Sequence, residues 1–322
     1  MTDIDPDTSP ASTAPIVTRR ARPDELAAIA PIFRHADRDY ADLPDGAPNA
    51  AAVDAAALAD LRVLAAHPDG VWVAERDGSV VGFAAAAIRG RLWHLAYLFV
   101  EPTAQGHGVG GALAQAIHTA GAAAGCDVFT TEPSADDRAL RCYFRLGMLP
   151  RPPAALLRAR SPLFPPLLRD DGLEAMPLAA DDDSQLETLG DLDALTRGGR
   201  RPEDLRRWLR DGGRGALLLR RETGAPAGYA VARPVDAGVW RLGPVAAVDA
   251  AAFALVLERA LAMAGSVPAP HAIWLADVPG ENHGALRRLL AAGFAPIRLA
   301  PLLASGPTGR WDAYLFGDLD VL

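Results

Sequence analysis

The chain has 322 residues, half of them hydrophobic, a formal net charge of −8 and two cysteines, Cys126 and Cys142. That is room for two ordinary domains with large cores. It speaks against a nucleic-acid-binding face, which needs clustered basic charge, and against a disulfide framework or a metal site built on cysteines. The longest apolar run, "VVGFAAAAI", stops at Arg89, well short of the ~18 residues that cross a bilayer.

In chain order, "MTDIDPDTSPASTAP" is acidic and polar and lacks the basic start and apolar centre of a signal peptide. Residues 1–14 therefore read as a disordered tail and the chain as cytoplasmic. "IVTRRA" reads as a short strand, "RPDELAAIAPIFRHADRDY" as a helix with Asp24 and Glu25 in its first turn, and residues 50–66 as a second helix. The dipeptide at 77–78, Asp-Gly, joins two strand-like runs and signals a tight hairpin. A third strand, 92–100, leads into the glycine-rich "QGHGVG" and a helix over 109–124. "DVFTTEP" reads as a strand and "DDRALRCYFRLG" as a helix closed by Gly147. Residues 150–172 are proline-rich, part last strand and part linker.

The second half repeats the first. "GSVVGFAAAA" has its counterpart in "GAPAGYAVAR", with Gly82 over Gly228. "LWHLAYLFVE" matches "VWRLGPVAAV", with Trp93 over Trp240, and "DDRALRCYFRLGM" matches "ENHGALRRLLAAGF", with Gly147 over Gly293. Three segments in one order and nearly one register, offset by 146 or 147, indicate an internal duplication. The expected layout is a tail over 1–14, a first domain over 15–160, a linker over 161–172 and a second domain over 173–322.

Backbone amides that open a helix after a glycine turn favour an anion. A nucleoside-triphosphate loop would end in Gly-Lys-Ser/Thr, and all 32 basic residues here are arginine. Gly106, Gly108 and Gly111 satisfy GxGxxG, which leaves a dinucleotide and an NAD(P)-dependent oxidoreductase open. Coenzyme A is the other anion that fits. A dinucleotide turn should follow a buried parallel strand directly, whereas here an antiparallel hairpin precedes it and Pro102 intervenes.

The run "FVEPTAQGHGVGGAL", with Val100, Pro102, Gln105, Gly108 and Gly110, resembles the V-x-P and [Q/R]-x-x-G-x-[G/A] signature of the GCN5-related N-acetyltransferase (GNAT) family. "DDRALRCYFRLGM", with Ala139, Tyr143 and Gly147, resembles the family's second element. The resemblance covers about residues 16–160 and implies an α/β fold with a mixed sheet, here as a tandem acyl-CoA N-acyltransferase (GNAT) fold. It implies acetyl-CoA as cosubstrate, no metal, and transfer of acetyl to an amine by direct attack. Leu98, Phe99 and Val100 would offer main-chain groups to the pantetheine arm. Gln105, Gly106, His107, Gly108, Val109 and Gly110 would wrap the pyrophosphate.

An amine must lose a proton before it attacks. His94 lies eleven positions before Gln105, where histone-type members of the family carry their catalytic glutamate, and is the first candidate base. Glu132 is the second. The ribosomal-protein acetyltransferases place a glutamate where Thr131 stands here, so Glu132 is one residue off, a step that reverses the face of a strand. Tyr143 would protonate the departing thiolate. Asp136 replaces the family's frequent asparagine before this helix, where it would meet the cofactor. Asp37, Asp39, Asp42 and Asp45 would line an acceptor mouth suited to a cationic amine.

In the second copy an offset of 147 sets Ala252, Leu255 and Leu257 under Gln105, Gly108 and Gly110, and Arg241 under His94; an offset of 146 sets Leu289 under Tyr143. The copy is expected to keep the fold and lack the site. A non-catalytic acetyl-CoA-binding or sensing protein is the alternative reading, which the survival of Tyr143 disfavours. Partners are expected to be a small-molecule or peptide amine, with neither nucleic acid nor membrane.

Overall fold

The computed structural model describes residues 14–37, 48–134, 136–160, 162–164, 171–269 and 271–319. Nearly all of the expected tail, much of the expected linker, and Asp39, Asp42 and Asp45 lie outside the described residues. The chain forms two compact units, Met1–Ala85 with Tyr97–Ala120, and Ala86–Ala96 with Gly121–Leu322. Among the described residues no helix is long and apolar enough to cross a membrane.

In the first unit β1 (Val17–Arg20), β2 (Val71–Arg76) and the start of β3 (Ser79–Arg89) pair antiparallel. The hairpin turn is the Asp77–Gly78 pair, both at positive φ (51° and 76°), the geometry for which this dipeptide is selected. The first helix begins as a single 3-10 turn, Pro23–Glu25, and continues as α1 (Leu26–Ala36). Glu25 accepts from the Arg22 amide at 2.7 Å and from Arg19 at 2.6 Å, which fixes that entry. α2 (Pro48–Leu64) packs on α1. Ile29, Ile32, Leu61 and Leu64 are buried at the helical spacing that makes one apolar face. The last four residues of β4 (Leu92–Val100) and most of α3 (Val109–Ala123) complete the unit, with Leu113 and Ile117 buried.

The second unit holds the first residues of β4 and β5 (Val128–Thr131), α4 (Asp137–Arg145) and β6 (Leu149–Ala159). β7 (Leu173–Pro177), α5 (Asp183–Thr196), α6 (Pro202–Arg210), β8 (Arg214–Arg220), β9 (Pro226–Asp236) and β10 (Val239–Ala247) follow. α7 (Ala250–Gly265), β11 (Ile273–Val278), α8 (His283–Ala291), β12 (Ala295–Ala304) and β13 (Tyr314–Leu315) end it. β3 and β9 are related by 147 residues, as are β4 and β10, and α4 and α8 by 146, so the repeat read in the sequence is a repeat of structure.

The last strands of the two copies are exchanged. β12 pairs with β5 (Leu303↔Thr131) on one side and with β6 on the other. β6 in turn pairs with β11 (Leu157↔Ala276). Each copy's closing strand thus sits beside the other copy's central one. Three prolines, Pro150, Pro152 and Pro153, are tolerated in β6 because the β11 pairing covers only Ala155–Ala159. At its proline-bearing end β6 pairs with β12 alone, so a missing N–H breaks no ladder on the other side.

Leu157 is fully buried in this exchanged pair. Leu157→Ala should lower stability by about 2–5 kcal/mol. Because β6 and β12 each complete the other copy, urea unfolding followed by tryptophan fluorescence and by circular dichroism should give one coincident transition, shifted to lower urea in the variant.

Candidate active site

At the end of β4 the chain turns through a 3-10 turn, Pro102–Ala104, and enters α3 at Val109. Ala104 N–H donates to the Glu101 carbonyl (2.8 Å) and Gln105 N–H to the Pro102 carbonyl (3.3 Å). The Gln105 side chain donates to the Val100 carbonyl at 3.0 Å, tying the loop back to the strand. Gly106 and Gly108 have φ of +81° and +84°, which only glycine adopts without strain. Val109 is buried and anchors the first turn, which closes with Ala112 N–H on the Gly108 carbonyl (3.0 Å). The amides of Val109, Gly110 and Gly111 precede the first such bond, so the helix itself supplies them no acceptor.

A Cβ added at Gly106, Gly108 or Gly111 would meet no atom within 4 Å, and one at Gly110 would meet only Val100, at 3.7 Å. Space outside the loop, amides at a helix start and a positive dipole end fit a pyrophosphate. Gly82 allows β3 to pass underneath: a Cβ there would come within 2.9 Å of the Phe99 carbonyl and 3.3 Å of Leu113. Parallel pairing of β4 with β5 stops at Leu95↔Thr131, so Leu98, Phe99 and Val100 run on beyond it. His107 is exposed between the two glycines.

Tyr143 lies on α4 with 5% of its surface exposed. Burial, helped by Cys142 and Asp136, pushes its phenol well above the usual range and keeps it protonated. Asp136 is the N-cap of that helix, accepting from the Arg138 amide at 2.7 Å. Its carboxyl is held down to about 2, first by the Arg138 side chain and then by backbone amides. The cap accounts for an aspartate at this position.

The two candidate bases are placed differently from the expectation. His94 is 1% exposed, with Nδ1 3.0 Å from Thr130 Oγ1. Burial, and then the Arg197 guanidinium, hold its pKa at about 3. So weak a base, enclosed within its own unit, fits a packed neutral imidazole. Glu132 forms an ion pair with Arg298 of β12. No spacing rule within the first copy could have shown this partner, because it comes from the exchanged strand.

The second copy lacks the glycine loop, for a reason the expected offset misstates. α7 begins at Ala250, two residues past β10, whereas eight residues separate β4 from α3. The loop is missing; Leu255 and Leu257 do not replace its glycines but lie within α7. Asp249 caps that helix, accepting from Ala252 N–H at 2.7 Å, and puts a carboxylate where a phosphate would sit. An acidic residue directly before the apolar helical run was the readable signal. Val245 and Ala246, 147 residues after Leu98 and Phe99, pair with Leu315 and Tyr314 of β13, so the chain itself fills that edge. Arg241 forms an ion pair with Asp277, and Leu289 is core.

An open glycine-lined helix start after a strand that outruns its parallel neighbour is the arrangement of an acyltransferase-type α/β fold. Sequence models of the Acetyltransferase (GNAT) family and of the Acetyltransferase (GNAT) domain match residues 32–148 and 189–312. The chain belongs to the GNAT family as a tandem member, and acyl transfer is that family's general activity. Its fold is similar to that of a provisionally assigned acetyltransferase from Pyrococcus horikoshii (TM-score 0.63, 16% identity, 95% of each chain). It is also similar to a GCN5-related N-acetyltransferase from Sphaerobacter thermophilus (TM-score 0.56, 17% identity, 91% of this chain and 96% of that one). A tandem GNAT protein from the clavulanic acid biosynthesis pathway gives a TM-score of 0.51 at 16% identity, over 91% of this chain and 99% of that one. No curated protein matches the chain.

His94 gives a pH test of its burial. The unfolded chain takes up a proton near pH 6.5; the folded ring takes one up only near pH 3. Acid therefore favours the unfolded state across that window, removing about 1 kcal/mol between pH 7 and 5.5. His94→Gln should lose less stability over this range than wild type, measured by urea midpoints at the two pH values.

Proposed function

We propose that the chain is an N-acetyltransferase that takes acetyl-CoA on its N-terminal copy and passes the acetyl group to an amine by direct attack. The observation that supports this most is the contrast between the two helix starts. One has open glycines at positive φ; the other is shortened and capped by Asp249. Residues Gly106 to Gly110 would hold the pyrophosphate, with Gln105 fastening their loop, and Leu98 to Val100 would receive the pantetheine arm. Bound acetyl-CoA supplies the activated acyl group. The nitrogen forms a bond to the carbonyl carbon, the C–S bond breaks, and the electron pair leaves on sulfur. Tyr143, held protonated by its burial, gives that sulfur a proton.

Gly110 can accept a side chain without backbone strain, so Gly110→Glu adds charge rather than distortion. In calorimetric titration it should weaken acetyl-CoA binding at least tenfold relative to wild type; unchanged tight binding would reject the loop as the cradle. Tyr143→Phe should lower kcat roughly hundredfold in a free-thiol release assay with an amine library, while acetyl-CoA affinity stays within about twofold. Loss of both together would mean that the ring is a packing residue only.

A further inference from the structure

The second copy lacks the glycine loop, yet one of its connections grips the root of the strand that leads to that loop in the first. β3 and β4 are hydrogen-bonded neighbours joined by two residues, Gly90 and Arg91. The turn lies in the second unit, and both strands run on into the first, where Gly82 and Leu98–Val100 lie. The turn is seated on the connection between α5 and α6. Gly199 of that connection passes so close that a Cβ there would collide with the Arg89 carbonyl and come within 3.0 Å of Leu92 Cβ. Arg89 reaches on to α6. Its Nε and Nη2 donate to the two carboxylate oxygens of Asp204, at 2.6 and 2.9 Å, and its Nη1 donates to the Ile88 carbonyl at 2.9 Å.

Asp204 is 3% exposed. Burial alone would raise its carboxyl, but the Arg89 guanidinium outweighs burial and holds it below the usual range. A two-point contact of this kind fixes direction as well as position. At Gly199 backbone meets backbone, with no side chain between them to adjust. On the other flank Asp127 and Val128 N–H donate to the Arg91 carbonyl at 3.1 and 3.2 Å, and Cys126 Sγ donates to the Gly90 carbonyl at 3.5 Å. β4 has nine residues, about 30 Å of extended chain. Its pairing with β5 covers only Leu92–Leu95. Beyond that point the strand's course is set by β3 and by the seat of their shared turn.

We propose that the second copy positions the donor strand of the first: its α5–α6 connection, through Gly199 and the Arg89–Asp204 pair, fixes the direction in which β4 delivers Leu98–Val100 to acetyl-CoA. This rests on the acetyltransferase reading above, which places the pantetheine arm on those three residues. Arg89, Gly199 and Asp204 are positioning residues and act through the strand. A stiff strand carries a small displacement at its root to its far end, and a misplacement of ~1 Å there is enough to cost a large part of a binding or catalytic geometry.

The test uses the full chain and reads acetyl-CoA affinity by calorimetric titration beside urea midpoints. Gly199→Ala presses a methyl group on the Arg89 carbonyl, and Asp204→Asn removes the charge from the pair. In samples that circular dichroism shows to be folded, each should weaken acetyl-CoA binding about tenfold. Arg89→Lys keeps the charge without the two-point contact and should weaken it about threefold; it decides the question if the other two do not fold. Leu157→Ala is the control for lost stability alone: its urea midpoint falls, and its affinity should stay within about twofold of wild type. Affinity within twofold of wild type in every folded root variant, with only the urea midpoint lowered, overturns the proposal. So does an equal loss of affinity in Leu157→Ala. Failure of wild type to bind acetyl-CoA would instead overturn the function on which the proposal rests, and the proposal with it.

Discussion

The constraint on which the rest depends is the exchange of closing strands. A short β5 has β12 as its neighbour, and β6 is held between β12 and β11. The main-chain hydrogen bonds of a sheet are obligatory, because a buried unpaired N–H or C=O is costly. Each copy therefore needs a segment of the other to complete its centre. This gives a physical reason for the chain to need both copies, whichever of them carries a site. It also brings Arg298 to Glu132, an ion pair that joins the two copies.

The second copy is closed by its own chain where the first is open. Two residues join β10 to α7, Asp249 caps the helix start, and β13 pairs along β10. Polar groups that a cofactor would satisfy in one copy are satisfied by the chain in the other. The same accounting explains the buried Asp193–Arg201–Tyr229 group: a charge inside a core is tolerable when it is paired and hydrogen-bonded.

Much of this was legible in the sequence where the signal is local. The Asp77–Gly78 turn, the helix start after Gly108 and the duplicated strands each announce themselves over a few residues. Pairing partners do not. "PRPPAALLRA" opens a proline-rich stretch whose pairing no local signal gives: its prolines lie where only β12 pairs, a fact that depends on residues some 150 positions away. A constant offset carried across a shorter connection sets Leu255 and Leu257 under the glycines, although both lie inside α7. His94 matched a catalytic spacing, but spacing says nothing about burial.

The exchange also sets an order of events during synthesis. Thr131 of β5 cannot meet Leu303 until about 170 further residues have been made. At ~5–20 residues per second the interval is on the order of ten to thirty seconds. For that time the nascent chain carries a central strand with one flank uncovered, the kind of edge that invites pairing with a neighbouring chain. β5 is only four residues long, and the proline-studded head of β6 follows soon after it. Both features make poor templates for a stray strand, so the residues that complicate reading the sheet also guard it while it waits.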